Sequence, residues 1–426
     1  MNTVSNSLEN DSTSTGVVAA RVALLADPLP DGDVELLQRI GELEQLRSLV
    51  GAEMSRALSG FRDLRVAERA ARGIAPDRRE LGVAHEVGQA MGASPHRASS
   101  ALRTAKALCG ALRHTMARLT AGELSPERAH AVVVGTSHLD DAERRQADER
   151  LCADSAVLDG LGTARTIDAV RRVSYELDPE GTLARWANAA KDRHVSIRPV
   201  PDGLVRISVL LPTPQGVGLW AALGRAADQR PCDGRTHAQF MADTAYERIA
   251  GRPGTAAPPV HVNLTVSDAV LVGDAAGTGF LADGGGLPGE IARRLVAEAS
   301  EDGLAWLRRL YVTPETGAVV AMDSRARTVP EGMARLIRAR DQYCRTPYCD
   351  ARIQHIDHVH PAAEAGETSV DNGQGLCRAC NFAKEADGWS ARPVADATGR
   401  HTVETTMTSG VGYRSTAPRQ APPAAA

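Results

Sequence analysis

Residues 354–381 read QHIDHVHPAAEAGETSVDNGQGLCRACN. His355, His358 and His360 crowd around Asp357, and Cys377 and Cys380 close the stretch as a C-x2-C knuckle. A second knuckle, C-x4-C, stands upstream at Cys344 and Cys349. Four thiolates make a closed tetrahedral site, and that donor set suits structural zinc. The histidines could serve as zinc ligands instead. With four cysteines available the ion is already saturated, which leaves the imidazoles free for other chemistry.

The elements around these residues follow from local pattern. HIDHVHP alternates Ile356 and Val359 with polar residues, as a strand does. DNGQGLCRACNFAKEADGW reads as a turn, a knuckle and a short helix opening near Cys377. A strand hairpin followed by a helix, with Asp-His on the strand and Asn on the helix, is a ββα-metal arrangement. Trp389 reads as a core plug for this module, and His355 and His360 as surface residues.

The rest of the chain must position this module. Its 426 residues fit roughly two to three domains, and 43% hydrophobic with 24% charged residues fits a globular protein. No apolar run approaches the ~20 residues of a membrane span. The polar start MNTVSNSLENDSTSTG lacks the order of a signal peptide, so the expected location is cytoplasmic. A cysteine cluster in a reducing compartment points to metal before disulfide. Cys109, Cys152 and Cys232 stand alone and read as inert, partly buried thiols.

Overall the pattern predicts an α+β protein in five segments. Residues 1–20 read as disordered. Residues 21–190 form a largely helical domain, opened by a long amphipathic helix with Leu37, Ile40, Leu43, Leu46 and Val50 on one stripe. Ser94 and Ser125 each precede a proline at a helix start. LGVAHEVGQAMGASPHRASSALRTAKAL has the outline of a helix-turn-helix bearing Arg97, Arg103 and Lys106. Its Ala98, Ala101, Leu102, Ala105 and Leu108 also make an ordinary packing stripe, and the bundle reading is preferred.

Residues 191–330 form a small α+β unit with hairpins at Pro201-Asp202-Gly203 and around Pro314–Gly317. Helices surround Trp220 and Phe240, a strand runs through VHVNLTV, and a further helix opens at Pro288. GDAAGTG and DGGG lack the spacing of a phosphate loop. Residues 331–393 are the zinc module and 394–426 a flexible tail.

Cys344 to Trp389 resembles the HNH endonucleases with four-cysteine zinc knuckles. GLPGEIARRLVAEA, RRLYVTPETGAVVAMDSRAR and RARDQYCRTPYCD extend the likeness to actinobacterial repeat-family HNH endonucleases carrying a long N-terminal domain of unknown function. The resemblance implies roles by position. His358 matches the general base and Asp357 a ligand of the catalytic metal. Asn372 matches the Asn that pins the loop to the histidine's strand. Asn381 takes the third place, where many members have His, and still offers a neutral ligand atom. Gly373 and Gly375 stand where apolar residues are usual, and are expected to loosen the turn.

The activity implied is metal-dependent hydrolysis of DNA phosphodiester bonds to a 5′-phosphate, with the ββα element at the minor groove. Oxygen ligands favour Mg²⁺ or Mn²⁺ for the catalytic site beside the structural Zn²⁺. Between Arg335 and Arg392 eight Lys/Arg balance eight Asp/Glu. Arg335, Arg338, Arg340 and Lys384 are the expected DNA contacts. Two alternatives stand beside this reading: a catalytically inactive zinc-containing DNA-binding protein, and a protein-interaction platform with an accessory nuclease module.

Overall fold

The computed structural model describes residues 15–201, 204–229, 233–251, 264–265, 277–281, 285–301 and 329–418. Helix α1 (Thr15–Ala26) leads into α2 (Asp33–Ala71), the long helix expected from the heptad-like apolar pattern. Then follow α3 (Val83–Met91), α4 (Pro95–Cys109), α5 (Arg113–Ala121), α6 (Pro126–Gly135), α7 (Asp141–Asp148), α8 (Thr163–Leu177) and α9 (Pro179–Ala189). Ser94 Oγ accepts from Arg97 N at 3.3 Å and Ser125 Oγ from Arg128 N at 3.4 Å, capping α4 and α6 as their Ser-Pro starts predict. The bundle core gathers Ala52, Leu108, Leu112, Leu119, Leu124, Val132, Leu151 and Val170.

The stripe on α2 departs from expectation. Leu37 and Ile40 are 70% and 62% exposed, and Leu43 and Val50 are exposed with them. The first half of α2 runs beyond the bundle, and burial begins only at Ser48, Ala52, Ser55 and Leu58, where α4 and α5 pack on it. The lone cysteines also differ from one another. Cys152 is buried, Cys109 is exposed, and Cys232 lies outside the described residues.

The middle unit is α+β as read. Strands β1 (His194–Val200) and β2 (Leu204–Leu210) pair antiparallel, Val200 opposite Leu204, with the Asp202-Gly203 apex outside the described residues. Helices α10 (Thr213–Asp228) and α11 (His237–Ala250) carry Trp220 and Phe240. A small sheet of β3 (Leu264–Thr265), β4 (Thr278–Leu281) and β5 (Gly285–Pro288) precedes α12 (Gly289–Glu301). The Pro314–Gly317 turn lies outside the described residues.

The C-terminal module opens with α13 (Glu331–Asp341), then β6 (His355–His358), β7 (Gly373–Leu376) and α14 (Arg378–Ala383). The expected tail is structured through Thr416. Strands β8 (Ser390–Val394), β9 (Thr402–Thr406) and β10 (Gly412–Thr416) form an antiparallel sheet in the order β10-β9-β8. It is tied to the first knuckle by the buried Arg345, whose guanidinium donates to the carbonyls of Ser415 and His401. Ser415 Oγ returns a bond to Arg345 O at 2.5 Å.

The module also rests on the helical domain. Arg72 pairs with Asp387 at 2.6 Å, and the buried Arg69 donates to Thr408 Oγ1 at 3.1 Å. Trp389 meets His85 edge to face at 5.9 Å, so the residue read as a core plug closes the seam between the two. Burial there lowers the His85 pKa to about 4, which keeps its ring neutral against the indole. Among the described residues no helix is long and apolar enough to cross a membrane.

Candidate active site and metal centre

Cys344, Cys349, Cys377 and Cys380 converge from two chain segments, all buried, with their sulfurs within 4.8 Å of one another. Cys349 Sγ lies 3.8 Å from Cys377 Sγ and 3.6 Å from Cys380 Sγ. Four sulfurs placed ~2.3 Å from a tetrahedral zinc stand about 3.8 Å apart, so the cluster has the dimensions of that site. Neighbouring thiols, Cys344 first, hold Cys377 far below the usual thiol range and push Cys380 far above it. Four thiols this close cannot all ionise without a cation among them.

Strand β6 pairs antiparallel with β7, Asp357 opposite Gln374 and His358 opposite Gly373. The loop between them folds back on Asn372. Its Oδ1 accepts from His360 N at 2.8 Å, while Nδ2 donates to His360 O at 3.0 Å and Glu367 O at 2.7 Å. A side-chain amide that supplies both donor and acceptor to one backbone position locks the loop to the end of β6.

His358 is buried at that end, its Nε2 2.9 Å from Thr368 Oγ1. Asp357 Oδ1 accepts from His358 N at 2.9 Å, and Oδ2 pairs with the Lys384 ammonium. Lys384 also donates to His358 O at 2.9 Å. Asn381 sits one turn before Lys384 on α14, and its Oδ1 is buried with no hydrogen-bond partner. An orphaned buried acceptor one turn from a carboxylate's partner suits a cation ligand.

Four expectations are revised by this geometry. Arg340 is 3% exposed, and its guanidinium donates to the carbonyls of Val370 at 2.7 Å and Gly373 at 2.6 Å. It therefore staples α13 to β7 and does not face a ligand. Asp341 completes that staple, pairing with Arg340 and accepting from Gly375 N at 2.8 Å. Lys384 is turned inward onto Asp357. Gly373 and Gly375 tighten the hairpin: they are buried strand residues, and a Cβ there would collide with Ile337 and Ile353.

Arg335 and Arg338 are exposed on α13, Arg335 pairing with Glu331 one turn away. His360 is exposed, with Nε2 3.0 Å from Glu364 O. Thr368 escaped the sequence reading, since a lone threonine ten residues from its histidine carries no pattern.

A hairpin-plus-helix closed by a four-cysteine cluster that suits zinc, and presenting a histidine, a carboxylate and an amide oxygen, has the make-up of a ββα-metal nuclease module. Comparison with known families agrees. The chain belongs to the family described as Domain of unknown function (DUF222), matched over residues 50–341. Residues 342–387 match the HNH endonuclease family. The protein thus carries an HNH-type nuclease domain, whose substrate class is nucleic acid. No curated protein and no solved structure matches the chain.

Proposed function

We propose that the protein is a divalent-metal-dependent endonuclease hydrolysing DNA phosphodiester bonds at His358. The observation that carries this reading is the convergence of His358, Asp357 and the unpartnered Asn381 Oδ1 on one hairpin and helix. In the tautomer that donates Nε2–H to Thr368 Oγ1, His358 keeps a lone pair on Nδ1. That nitrogen takes the proton of a water as its oxygen attacks phosphorus; the bond from phosphorus to the 3′-oxygen breaks, that oxygen leaves with the electron pair and takes a proton from solvent, and the 5′-phosphate is left on the other fragment.

Asp357 and Asn381 are the residues that would hold Mg²⁺ or Mn²⁺, which when bound supplies positive charge to the phosphate. Lys384 holds Asp357 in place and balances its charge within the site. Asn372 acts by position, fixing the backbone that follows His358. Arg335 and Arg338 remain the phosphate contacts of α13.

The Lys384–Asp357 ion pair favours a second reading, a zinc-stapled DNA-binding module without catalysis, because an ammonium already neutralises the carboxylate. Plasmid nicking by purified protein in Mg²⁺, Mn²⁺ and EDTA separates the two. Cleavage that appears with the ions and disappears with EDTA supports the nuclease; binding without cleavage in any condition supports the rival.

Asp357→Ala should weaken Mn²⁺ binding and slow nicking, with excess Mn²⁺ restoring part of the rate and zinc content unchanged. Titration of Mn²⁺ by its electron paramagnetic resonance signal checks it, and wild-type Mn²⁺ affinity in the variant would remove Asp357 from the ligand set. Asn372→Ala should slow nicking roughly 10²-fold through misplacement of His358 by about 1 Å. It should also cost about 1–3 kcal/mol of stability, since it removes three hydrogen bonds from a buried side chain to the loop backbone. Nicking rate and denaturant midpoint on the same preparation, with zinc counted, test both halves.

A further inference from the structure

The helical domain carries a surface that the hydrolytic site does not use. From Val87 to Gly122 the sequence contains no Asp or Glu, in a chain where 53 acidic residues outnumber 49 basic ones. This run covers most of α3, all of α4 and all of α5. Gly92 takes φ +58 at the end of α3, the left-handed conformation that lets a three-residue turn lead directly into the Ser94 cap of α4. Helix α4 buries Ala98, Leu102, Ala105 and Leu108. Its other face, with His96, Arg97, Arg103 and Lys106, is exposed.

Charge pairing differs between this face and α2. On α2, Arg47, Arg56, Arg62 and Arg65 each pair with a glutamate. Among the described residues Arg97, Arg103 and Lys106 have no ion pair, and Arg103 donates to Ser99 Oγ at 3.0 Å. A merely solvated face would be expected to mix signs as α2 does, because like charges one turn apart repel. A single-sign surface complements a polyanion. Arg97 and Lys106 are two and a half turns apart, so they stand on the two flanks of the exposed side with Arg103 between them, spread over about 14 Å of helix, enough to meet several phosphates of a duplex that carries one charge per ~1.7 Å.

The end of α3 and the turn that opens α4 adjoin the nuclease module. Gln89 Nε2 donates to Pro347 O at 3.4 Å, and a Cβ on Gly92 would lie 3.9 Å from the Tyr348 ring, both contacts with the first zinc knuckle. We infer that the exposed face of α4 is a second duplex-binding surface, gripping the phosphate backbone beside the module that cuts it. The polyanion's identity as DNA rests on the nuclease reading; the existence of the surface does not.

The test measures binding of a fluorescent DNA duplex by the zinc-loaded full chain, in buffer without Mg²⁺ or Mn²⁺, across a salt series. The proteins compared are wild type, Arg97→Ala/Arg103→Ala/Lys106→Ala, and Arg97→Lys/Arg103→Lys. Hydrolysis of bis(4-nitrophenyl) phosphate in Mn²⁺ reports the hydrolytic site separately. The alanine variant should bind at least ~10-fold more weakly at low salt, and its slope of log affinity against log salt should flatten by roughly 2 to 3, about 0.9 per cation removed.

The lysine variant should keep the wild-type slope, and all three should hydrolyse the small ester alike. Equal affinity and slope in alanine variant and wild type overturn the inference. So does an equal loss in the lysine variant, or a wild type that binds no duplex. A flattened slope in the alanine variant, beside a wild type that hydrolyses neither DNA nor the ester, would end the nuclease reading and leave this surface standing.

Discussion

Cys380→Ser should strip the protein of zinc and unfold the C-terminal module. The core around the cysteines is little more than the four sulfurs and Leu376, with a second small cluster at Met333, Ile337 and Val370. Hairpin β6–β7 has four residues a side, too little to hold itself without the ion. Structural zinc contributes on the order of 10 kcal/mol in small zinc-folded peptides, more than the margin by which such a unit is stable. The β8–β9–β10 sheet should go with it, because Arg345 ties it to the first knuckle.

The helical domain should persist on its own larger core. Arg69 loses Thr408 there but keeps the carbonyls of Arg79 at 2.8 Å and Leu81 at 2.7 Å. Zinc stoichiometry with limited proteolysis checks the expectation. The variant should lose its metal and be clipped after α12 while a helical fragment survives. Full zinc and wild-type resistance in both Cys380→Ser and Cys377→Ser would contradict it.

Much of the site was legible because its signals are local. Two cysteine knuckles state a metal by spacing alone, and Ser-Pro pairs state helix starts. Where meaning depends on distant backbone, the sequence reading failed in recognisable ways. Arg340 sits on a helix among other arginines and reads as a surface cation; only the placement of the Val370 and Gly373 carbonyls makes it a buried staple. Lys384 reads as a phosphate contact until Asp357 is seen beside it.

The last strands were misread for a different reason. HTVETTM and VGYRST do alternate around a Thr-Ser-Gly turn, a hairpin signal. The Pro- and Ala-rich end outweighed it. The exposed stripe on α2 shows the limit of periodicity: it predicts a helix with an apolar face and says nothing about what covers that face.

If His358 is the base, His358→Ala abolishes cleavage and little else. Its imidazole is buried against Thr368 and touches no cysteine of the zinc cluster. Removing it therefore leaves both metal sites intact and deletes only the proton acceptor, a loss typically worth ~10²–10⁴-fold. A structural role would look different, with a lower melting temperature and altered zinc. The decisive measurement is the Mn²⁺-dependent plasmid-nicking rate of His358→Ala against wild type, with zinc and Mn²⁺ binding counted on the same samples. The expected result is a rate reduced at least ~10²-fold with unchanged metal content. A variant that nicks as fast as wild type would contradict it.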